Sequence, residues 1–316
     1  MTLAACLAFY GFVVAIVAPR LLPQLTAAGA NPRLGVAVWT SAVGSVLASW
    51  VGAAAVASLS VVEWSGSAAA LLHSCLAALR PLGMFQPWVA AAFLALAAVS
   101  LAWLMWLGWR IGSHWYRAHR RGLLHARAVR LAGRAAPQLG AGTVVVESEQ
   151  VTAYCVASRS RTVVVTRGAL DRLDPAELEA VLAHEHAHLV GRHHLLLTLL
   201  GAVRRAFPGV TLFRTAEEES GRLLEMRADD IAVERHGPVP LVGALATMTE
   251  GATPSGALAA TGHSVLARAL RLAEPPSQAH RATSRAALSG TAAGLLFGPG
   301  AALVAMALSV CPVAFQ

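Results

Sequence analysis

The chain has 316 residues, of which 56% are hydrophobic and only 13% are charged, with a formal net charge of +8. Soluble domains carry about 25% charged residues, so this composition excludes an ordinary soluble enzyme and indicates an integral membrane protein. All 25 basic residues are arginine, a bias typical of a GC-rich bacterial genome. They cluster beside apolar segments, which favours a role in membrane topology over direct binding of nucleic acid.

Three uncharged stretches early in the chain are long enough to cross a bilayer, which takes about 20 residues. We predict transmembrane helices at about 2–19, 34–62 and 88–109, which together form a membrane domain over residues 1–109. The first is not a standard signal peptide, because no basic residue precedes its apolar run. Residues 63–80 are expected to form an outer loop that holds a short surface helix.

The arginines predict the orientation of these spans. Residues 110–142 contain seven arginines and no acidic residue, and the positive-inside rule places such a segment in the cytoplasm. The N-terminus and the C-terminus then lie outside. We therefore expect a multi-pass protein of the plasma membrane with a cytoplasmic domain over residues 110–285 and a fourth transmembrane helix over residues 286–316, kinked near Pro299.

The cytoplasmic domain is expected to be of the α+β type. Its β-branched runs between residues 143 and 166 predict two or three short antiparallel strands. A helix is predicted to begin with Asp174 as N-cap, Pro175 in the first turn and Glu177 completing a capping box, and to continue past His194.

Two further elements complete the predicted domain. Residues 215–236 predict another helix, which ends at Gly237 and Pro238. Residues 251–284 are expected to be rich in loops, with one helix around residues 265–273.

The stretch VLAHEHAHLV places three histidines and a glutamate inside an apolar run. His184 and His188 stand four residues apart, so on a helix both imidazoles project from one face and can bind one metal ion. Imidazole suits Zn²⁺, and a catalytic zinc keeps one position open for water. We predict one Zn²⁺ here, with Glu185 as the catalytic base that takes a proton from the activated water. The alternative is a chance cluster of histidines on a solvated helix.

A catalytic zinc needs a third protein ligand, and the second predicted helix offers one. Glu225 and Asp229 stand four residues apart on it. Glu225 is the candidate ligand, and Asp229 is the candidate acceptor for the second ring N–H of a ligand histidine. The alternative is a solvated helix face on which both acids pair with Arg222 and Arg227.

The remaining histidines are assigned lesser roles. His186 points away from the face shared by the two ligand histidines, and His193 and His194 are expected to be interfacial or solvated. His236 follows the acidic helix and is a candidate donor to the oxyanion of the tetrahedral intermediate; the alternative is an ordinary histidine at a helix C-terminus.

Residues 163–194 resemble the strand–helix–HExxH block shared by the HtpX/Ste24 peptidases and the signal-transducing BlaR/MecR peptidases, and EMRADD at 225–230 resembles their ExxxD segment. Three spans before the peptidase domain and one after it are most similar to the BlaR/MecR layout, since HtpX-like chains usually place two spans before the motif. The resemblance implies a mostly α membrane protein with a zincin-like domain of the gluzincin type. It implies that His184, His188 and Glu225 bind zinc.

The expected function is that of a membrane-embedded zinc endopeptidase that cleaves a cytoplasmic repressor similar to BlaI/MecI. β-Lactam acylation is not expected, because no penicillin-binding domain follows the last predicted span in this sequence. Two alternatives remain: an HtpX-like quality-control protease and a non-catalytic membrane sensor or scaffold. The expected partners are a protein substrate and the lipid bilayer, without nucleic acid. The sequence leaves the oligomeric state open, with a homodimer as one option.

Overall fold

The computed structural model describes residues 2–79, 87–156, 162–250 and 258–310. Within these ranges the chain is mostly helical and contains one small sheet. The helices are α1 (Thr2–Thr26), α2 (Pro32–Leu79), α3 (Pro87–Ala132), α4 (Arg167–Arg172), α5 (Pro175–Val190), α6 (His193–Ala206), α7 (Thr211–His236), α8 (Pro238–Glu250), α9 (Leu258–Ala273) and α10 (Gln278–Val310), and the strands are β1 (Arg134–Ala135), β2 (Thr143–Val146), β3 (Ala153–Val156) and β4 (Thr162–Thr166).

Two of the predicted spans correspond to helices that are long and apolar enough to cross a membrane. These segments are Leu3–Thr26 in α1 and Pro32–Ala57 in α2. The other two predicted spans are also helical, over residues 88–109 in α3 and 286–310 in α10, and their crossing of a membrane stays a prediction. Residues 311–316 lie outside the described residues.

Residues 63–80 are predicted as a loop that holds a short helix, whereas over the described residues 63–79 the structure shows no separate helix. Helix α2 continues without a break to Leu79, because this stretch is rich in alanine and leucine and has no proline before Pro81. Helix α3 similarly continues beyond its apolar part to Ala132. The first arginine-rich segment is therefore a helical extension of the third predicted span.

The sheet is mixed, whereas the sequence predicted antiparallel strands. Its order is β1-β2-β4-β3, in which β2 and β4 are parallel and the two outer pairs are antiparallel. Strand β4 is buried along its whole length, because Val164 packs towards α3 and its neighbours Val163 and Val165 pack towards α5. Burial on both faces explains why β4 reads as a continuous apolar run without alternation.

The helix that carries the HExxH motif is shorter than predicted. It ends at Val190, and the continuation past His194 is wrong, because Gly191 is followed by Arg192 with a left-handed φ of 52°. Helix α6 then begins at His193. Helix α7 ends as predicted, at Gly237 with a φ of 79°.

The segment 251–284 contains more helix than predicted. Helix α9 begins at Leu258 and α10 begins at Gln278, so only residues 274–277 of the described part form a connection. Residues 251–257 lie outside the described residues.

The largest core cluster joins the N-terminal helices to the peptidase helices. It contains Val38 and Trp39 of α2, Leu212 and Phe213 of α7, and Leu288 of α10. The turn between α6 and α7 adds Phe207, whose ring lies 5.7 Å from Trp50 of α2 and 6.5 Å from Trp103 of α3. The apolar part of α6 thus packs against the predicted spanning helices.

Candidate metal centre

Helices α5 and α7 pack side by side and present the site between them. A capping box fixes the start of α5, since the backbone N–H of Glu177 donates to Asp174 Oδ1 over 2.8 Å and that of Asp174 donates to Glu177 Oε2 over 3.1 Å. The buried alanines Ala180 and Ala183 of α5 lie in one cluster with Ala232 of α7. Small residues allow the two helices to approach closely, which brings their polar residues together.

Three of the predicted residues meet in this space. His188 Nε2 lies 3.1 Å from His184 Nε2. The carboxylate of Glu225 bridges the two rings, with Oε2 lying 3.4 Å from His184 Nε2 and Oε1 lying 3.3 Å from His188 Nε2. Both histidines are buried. The sequence prediction that these side chains converge is therefore matched by the geometry.

These separations fit a zinc ion. Zinc bonds of about 2.0–2.2 Å in tetrahedral geometry place neighbouring ligand atoms about 3.3–3.6 Å apart. The two imidazole nitrogens lie 3.1 Å apart, and each lies 3.3 or 3.4 Å from a different oxygen of the Glu225 carboxylate. One ligand atom from each side chain can be chosen so that all three lie within 4.8 Å of one another, which is close enough for the side chains to share one ion after small adjustments. Two imidazole nitrogens and one carboxylate oxygen are also the ligand set of many catalytic zinc sites, which leave the fourth position open.

Asp229 lies behind His184, away from Glu225. Its Oδ1 is 3.0 Å from His184 Nδ1, which makes an ion pair when His184 is protonated. The Asp229 carboxylate is fully buried. It receives two hydrogen bonds from Arg268 of α9, from Nε over 2.7 Å and from Nη2 over 2.6 Å.

Arg268 also contacts Glu225, the third candidate metal ligand. Arg268 Nη1 lies 3.1 Å from Glu225 Oε2. One largely buried guanidinium, 13% exposed, therefore neutralises charge from both acids of the ExxxD segment. Arg268 could not be singled out from the sequence, because α9 is far from α7 along the chain and only the fold brings them together.

The pKa values of the two ligand histidines are shifted in opposite directions. Burial alone lowers the pKa of His184, but the neighbouring Asp229 and Glu225 carboxylates outweigh it and raise the pKa to about 9. For His188, burial prevails over the attraction of Glu225 and lowers the pKa to about 4. At neutral pH and without a metal, His184 is therefore protonated and His188 is neutral.

The carboxyl groups are shifted as well. Burial raises the pKa of Asp229, yet Arg268 and His184 outweigh it and lower the pKa to about 2. The pKa of Glu225 is lowered for the same kind of reason, because His184 and Arg268 offset its burial. Both acids are anionic at neutral pH.

Glu185 stands next to the ligand histidines and faces the edge strand β3. Burial is the main cause that raises its pKa to about 7, a value suited to accepting and releasing a proton near neutral pH. It hydrogen-bonds with the backbone and the thiol of Cys155, and burial together with the Glu185 charge raises the pKa of that thiol to about 12. The sequence did not indicate Cys155 at the site.

The remaining histidines are distributed differently from the prediction. His186 is exposed, as expected. His193 is buried, which corrects the expectation of a solvated residue, and its Nδ1 lies 2.8 Å from Nδ1 of His188. His236 lies 11 residues after Glu225 on α7, about 16 Å along the helix axis, and its Nδ1 is 3.7 Å from Glu179. The structure does not bring His236 to the metal centre, so we do not retain it as the oxyanion donor.

Comparisons with known proteins agree with this site. Residues 118–229 match the profile of Peptidase family M48, and this match covers less than half of the chain but includes all five residues of the two motifs. The chain is 34% identical to Protease HtpX homolog 2 of Methanosarcina acetivorans over 96 residues, which are 29% of this chain and 31% of that protein. The alignment thus spans less than a third of that relative.

No solved structure matches the chain. The two sequence matches support a membrane metallopeptidase of the M48 type. Neither match is specific to BlaR/MecR proteins, so that part of the resemblance stays a prediction.

Proposed function

We propose that the protein is a membrane-anchored zinc metalloendopeptidase. The observation that carries this proposal is the convergence of His184, His188 and Glu225, whose potential ligand atoms lie within 4.8 Å of one another. The match of residues 118–229 to Peptidase family M48 supports it. The two long apolar N-terminal helices support attachment to a membrane.

In the proposed mechanism the chain supplies the base, the ligands and their supports. A bound zinc ion would act as a Lewis acid that lowers the pKa of a water molecule to about 7. The Glu185 carboxylate would accept a proton from the attacking water and return it to the leaving nitrogen of the peptide. Asp229 orients the ring of His184, and Arg268 holds Asp229 in place.

Two substrate classes fit the same active site. The arginine-rich segment after residue 109 supports a cytoplasmic peptidase domain, and the BlaR/MecR-like order of predicted spans favours a BlaI/MecI-like repressor as substrate. The match to an HtpX homolog favours the second candidate, in which damaged membrane proteins are degraded. We propose proteolysis as the activity and keep both substrate classes as hypotheses.

The activity is tested with Glu185→Gln in the full-length chain purified in detergent. This variant should bind zinc like the native chain but hydrolyse an unfolded test protein at least about 100-fold more slowly, because only the base is removed. His188→Ala should lose both zinc and hydrolysis. A native chain that binds no zinc, or a Glu185→Gln chain with full activity, would contradict the proposal.

The substrate class is tested in cells by comparing new protein N-termini between the native chain and Glu185→Gln. One or two fragments of a DNA-binding repressor, present only with the native chain, would support signalling. Fragments of many membrane proteins would support quality control.

A further inference from the structure

His193 returns to the zinc-binding helix because the chain reverses immediately after it. Helix α5 ends at Val190, and Arg192 adopts a left-handed φ of 52°, which no other non-glycine residue does within the described part of the chain. A continued helix would have carried position 193 away from the end of α5. The turn instead directs its side chain back, and His193 is 7% exposed.

The buried ring of His193 contacts the outer nitrogen of His188. The two Nδ1 atoms lie 2.8 Å apart, and the rings meet edge to face with centroids 4.7 Å apart and an interplanar angle of 88°. The other nitrogen of His188, Nε2, faces Glu225 and His184. His188 therefore has one nitrogen turned to the candidate zinc position and the other turned to His193.

The contact assigns protons to both rings. Two ring nitrogens at 2.8 Å form a hydrogen bond only when one carries a proton and the other has a free lone pair. A ligand nitrogen must be unprotonated, so His188 carries its proton on Nδ1 and donates it. His193 accepts through Nδ1 and carries its own proton on Nε2.

Gly191 makes room for this arrangement. Its φ of −70° suits any residue, so the backbone conformation does not require glycine. A Cβ atom at this position, however, would lie 2.3 Å from Nε2 of His193 and 2.6 Å from its Cδ2. The absence of a side chain at residue 191 thus leaves the space that the ring of His193 occupies.

We propose that His193 is a positioning residue for the metal centre: it holds His188 in the tautomer and ring orientation that present Nε2 to zinc. Asp229 stands in the corresponding place behind His184, so each ligand histidine has its own support, one anionic and one neutral. This inference rests on the proposed zinc site. Outer partners of ligand histidines contribute about 10–100-fold to metal affinity.

The test measures zinc affinity of the full-length chain in detergent by competition with a chelator. His193→Ala should weaken zinc binding about 10–100-fold. His193→Asn should retain most of the affinity, because its amide oxygen lies near the position of Nδ1 and can accept the same hydrogen bond. His194→Ala is the matched control, because the neighbouring histidine on α6 is not among the side chains that converge on the candidate metal position, and this variant should bind zinc like the native chain.

A second variant perturbs the contact between His193 and His188 without removing a polar atom. Gly191→Ala should push the His193 ring away from His188 and weaken zinc binding in the native background. In the smaller His193→Asn background the same change should have a lesser effect. This dependence of one substitution on the other is not expected if residue 191 acts only on the stability of the turn.

The outcomes separate this inference from the proposed function. A native chain that does not bind zinc overturns the proposed function. A native chain that binds zinc, together with a His193→Ala chain of equal affinity, overturns the inference alone. Equal losses in His193→Ala and His193→Asn also overturn it, because packing rather than hydrogen bonding would then explain the effect.

Discussion

The ring of His184 is enclosed by charge on both sides. Its Nε2 faces Glu225 and its Nδ1 faces Asp229, and Arg268 contacts both carboxylates. Buried charges are costly unless they are paired. The polar residues in the apolar HExxH stretch are therefore tolerated because a closed set of partners from α7 and α9 surrounds them.

The first prediction concerns the pH dependence of zinc binding. The pKa of about 9 means that His184 is protonated in the metal-free chain at neutral pH. His188, with a pKa of about 4, is already neutral. Zinc must displace one proton, so its affinity should rise about tenfold per pH unit between about pH 6 and pH 8. Zinc titrations at several pH values would check this, and an affinity independent of pH in that range would contradict it.

The second prediction concerns Arg268. Replacing it with methionine removes the guanidinium that donates two hydrogen bonds to the fully buried Asp229 carboxylate, and the loss of one partner from a buried ion pair typically costs about 3–5 kcal/mol. Chemical unfolding of the two purified chains should show this destabilisation. Arg214→Met is the matched control, because the Arg214–Glu218 pair is exposed and should contribute less than about 1 kcal/mol. Similar losses in both variants would contradict the assigned role.

Local spacing explains which site residues the sequence could predict. His184 and His188 are four residues apart, as are Glu225 and Asp229, so helix geometry alone places each pair on one face. Arg268 and Cys155 could not be predicted, since only tertiary packing brings α9 and β3 to α5. His193 was missed for a different reason: its approach to His188 depends on the left-handed turn at Arg192.

Helix ends were predictable where their capping residues follow standard preferences. The start of α5 at Asp174 and Pro175 and the end of α7 at Gly237 agree with the sequence prediction. The end of α5 did not agree with the prediction, because Arg192 adopts the left-handed conformation that glycine or asparagine usually adopts. The strand order was also beyond local patterns, since a β-branched run does not specify its neighbours in a sheet.

The third prediction concerns the start of α5. Asp174→Ala removes the side chain that accepts from the backbone of Glu177, and loss of such a cap costs about 1 kcal/mol. The melting temperature should therefore fall. Zinc should still bind to the two histidines of α5, because the substitution removes no metal ligand. Asp171→Ala is the control, since Asp171 only pairs with Arg167 on the surface. Thermal unfolding of both variants would decide, and an unchanged melting temperature in Asp174→Ala would contradict the prediction.

At the scale of the whole molecule, segments of different composition share one buried core. The change from apolar to arginine-rich sequence placed a domain boundary after residue 109. Across this predicted boundary, one buried cluster contains Trp39 of α2 together with Leu212, Phe213 and Leu223 of α7. The helix that carries Glu225 is therefore packed directly against a predicted transmembrane helix. Composition could not reveal this contact, because it reports the environment of a segment and not its partners.

The fourth prediction follows from this shared core. Trp39 is fully buried, and Trp39→Ala should cost about 3–5 kcal/mol by leaving a cavity. Because Leu223 lies in the same cluster and two residues before Glu225, zinc should also dissociate at a lower temperature, although Trp39 belongs to the predicted membrane domain.

The measurement is zinc release during heating of the full-length chain in detergent. Trp109→Ala is the control, since that side chain is 70% exposed and contributes nothing to the cluster around α7. If the two variants released zinc at the same temperature, the membrane helices and the metal centre would be energetically independent. Earlier release from Trp39→Ala alone would mean that the peptidase helices depend on α2 for their stability, so that a change within the membrane helices could alter the zinc site directly.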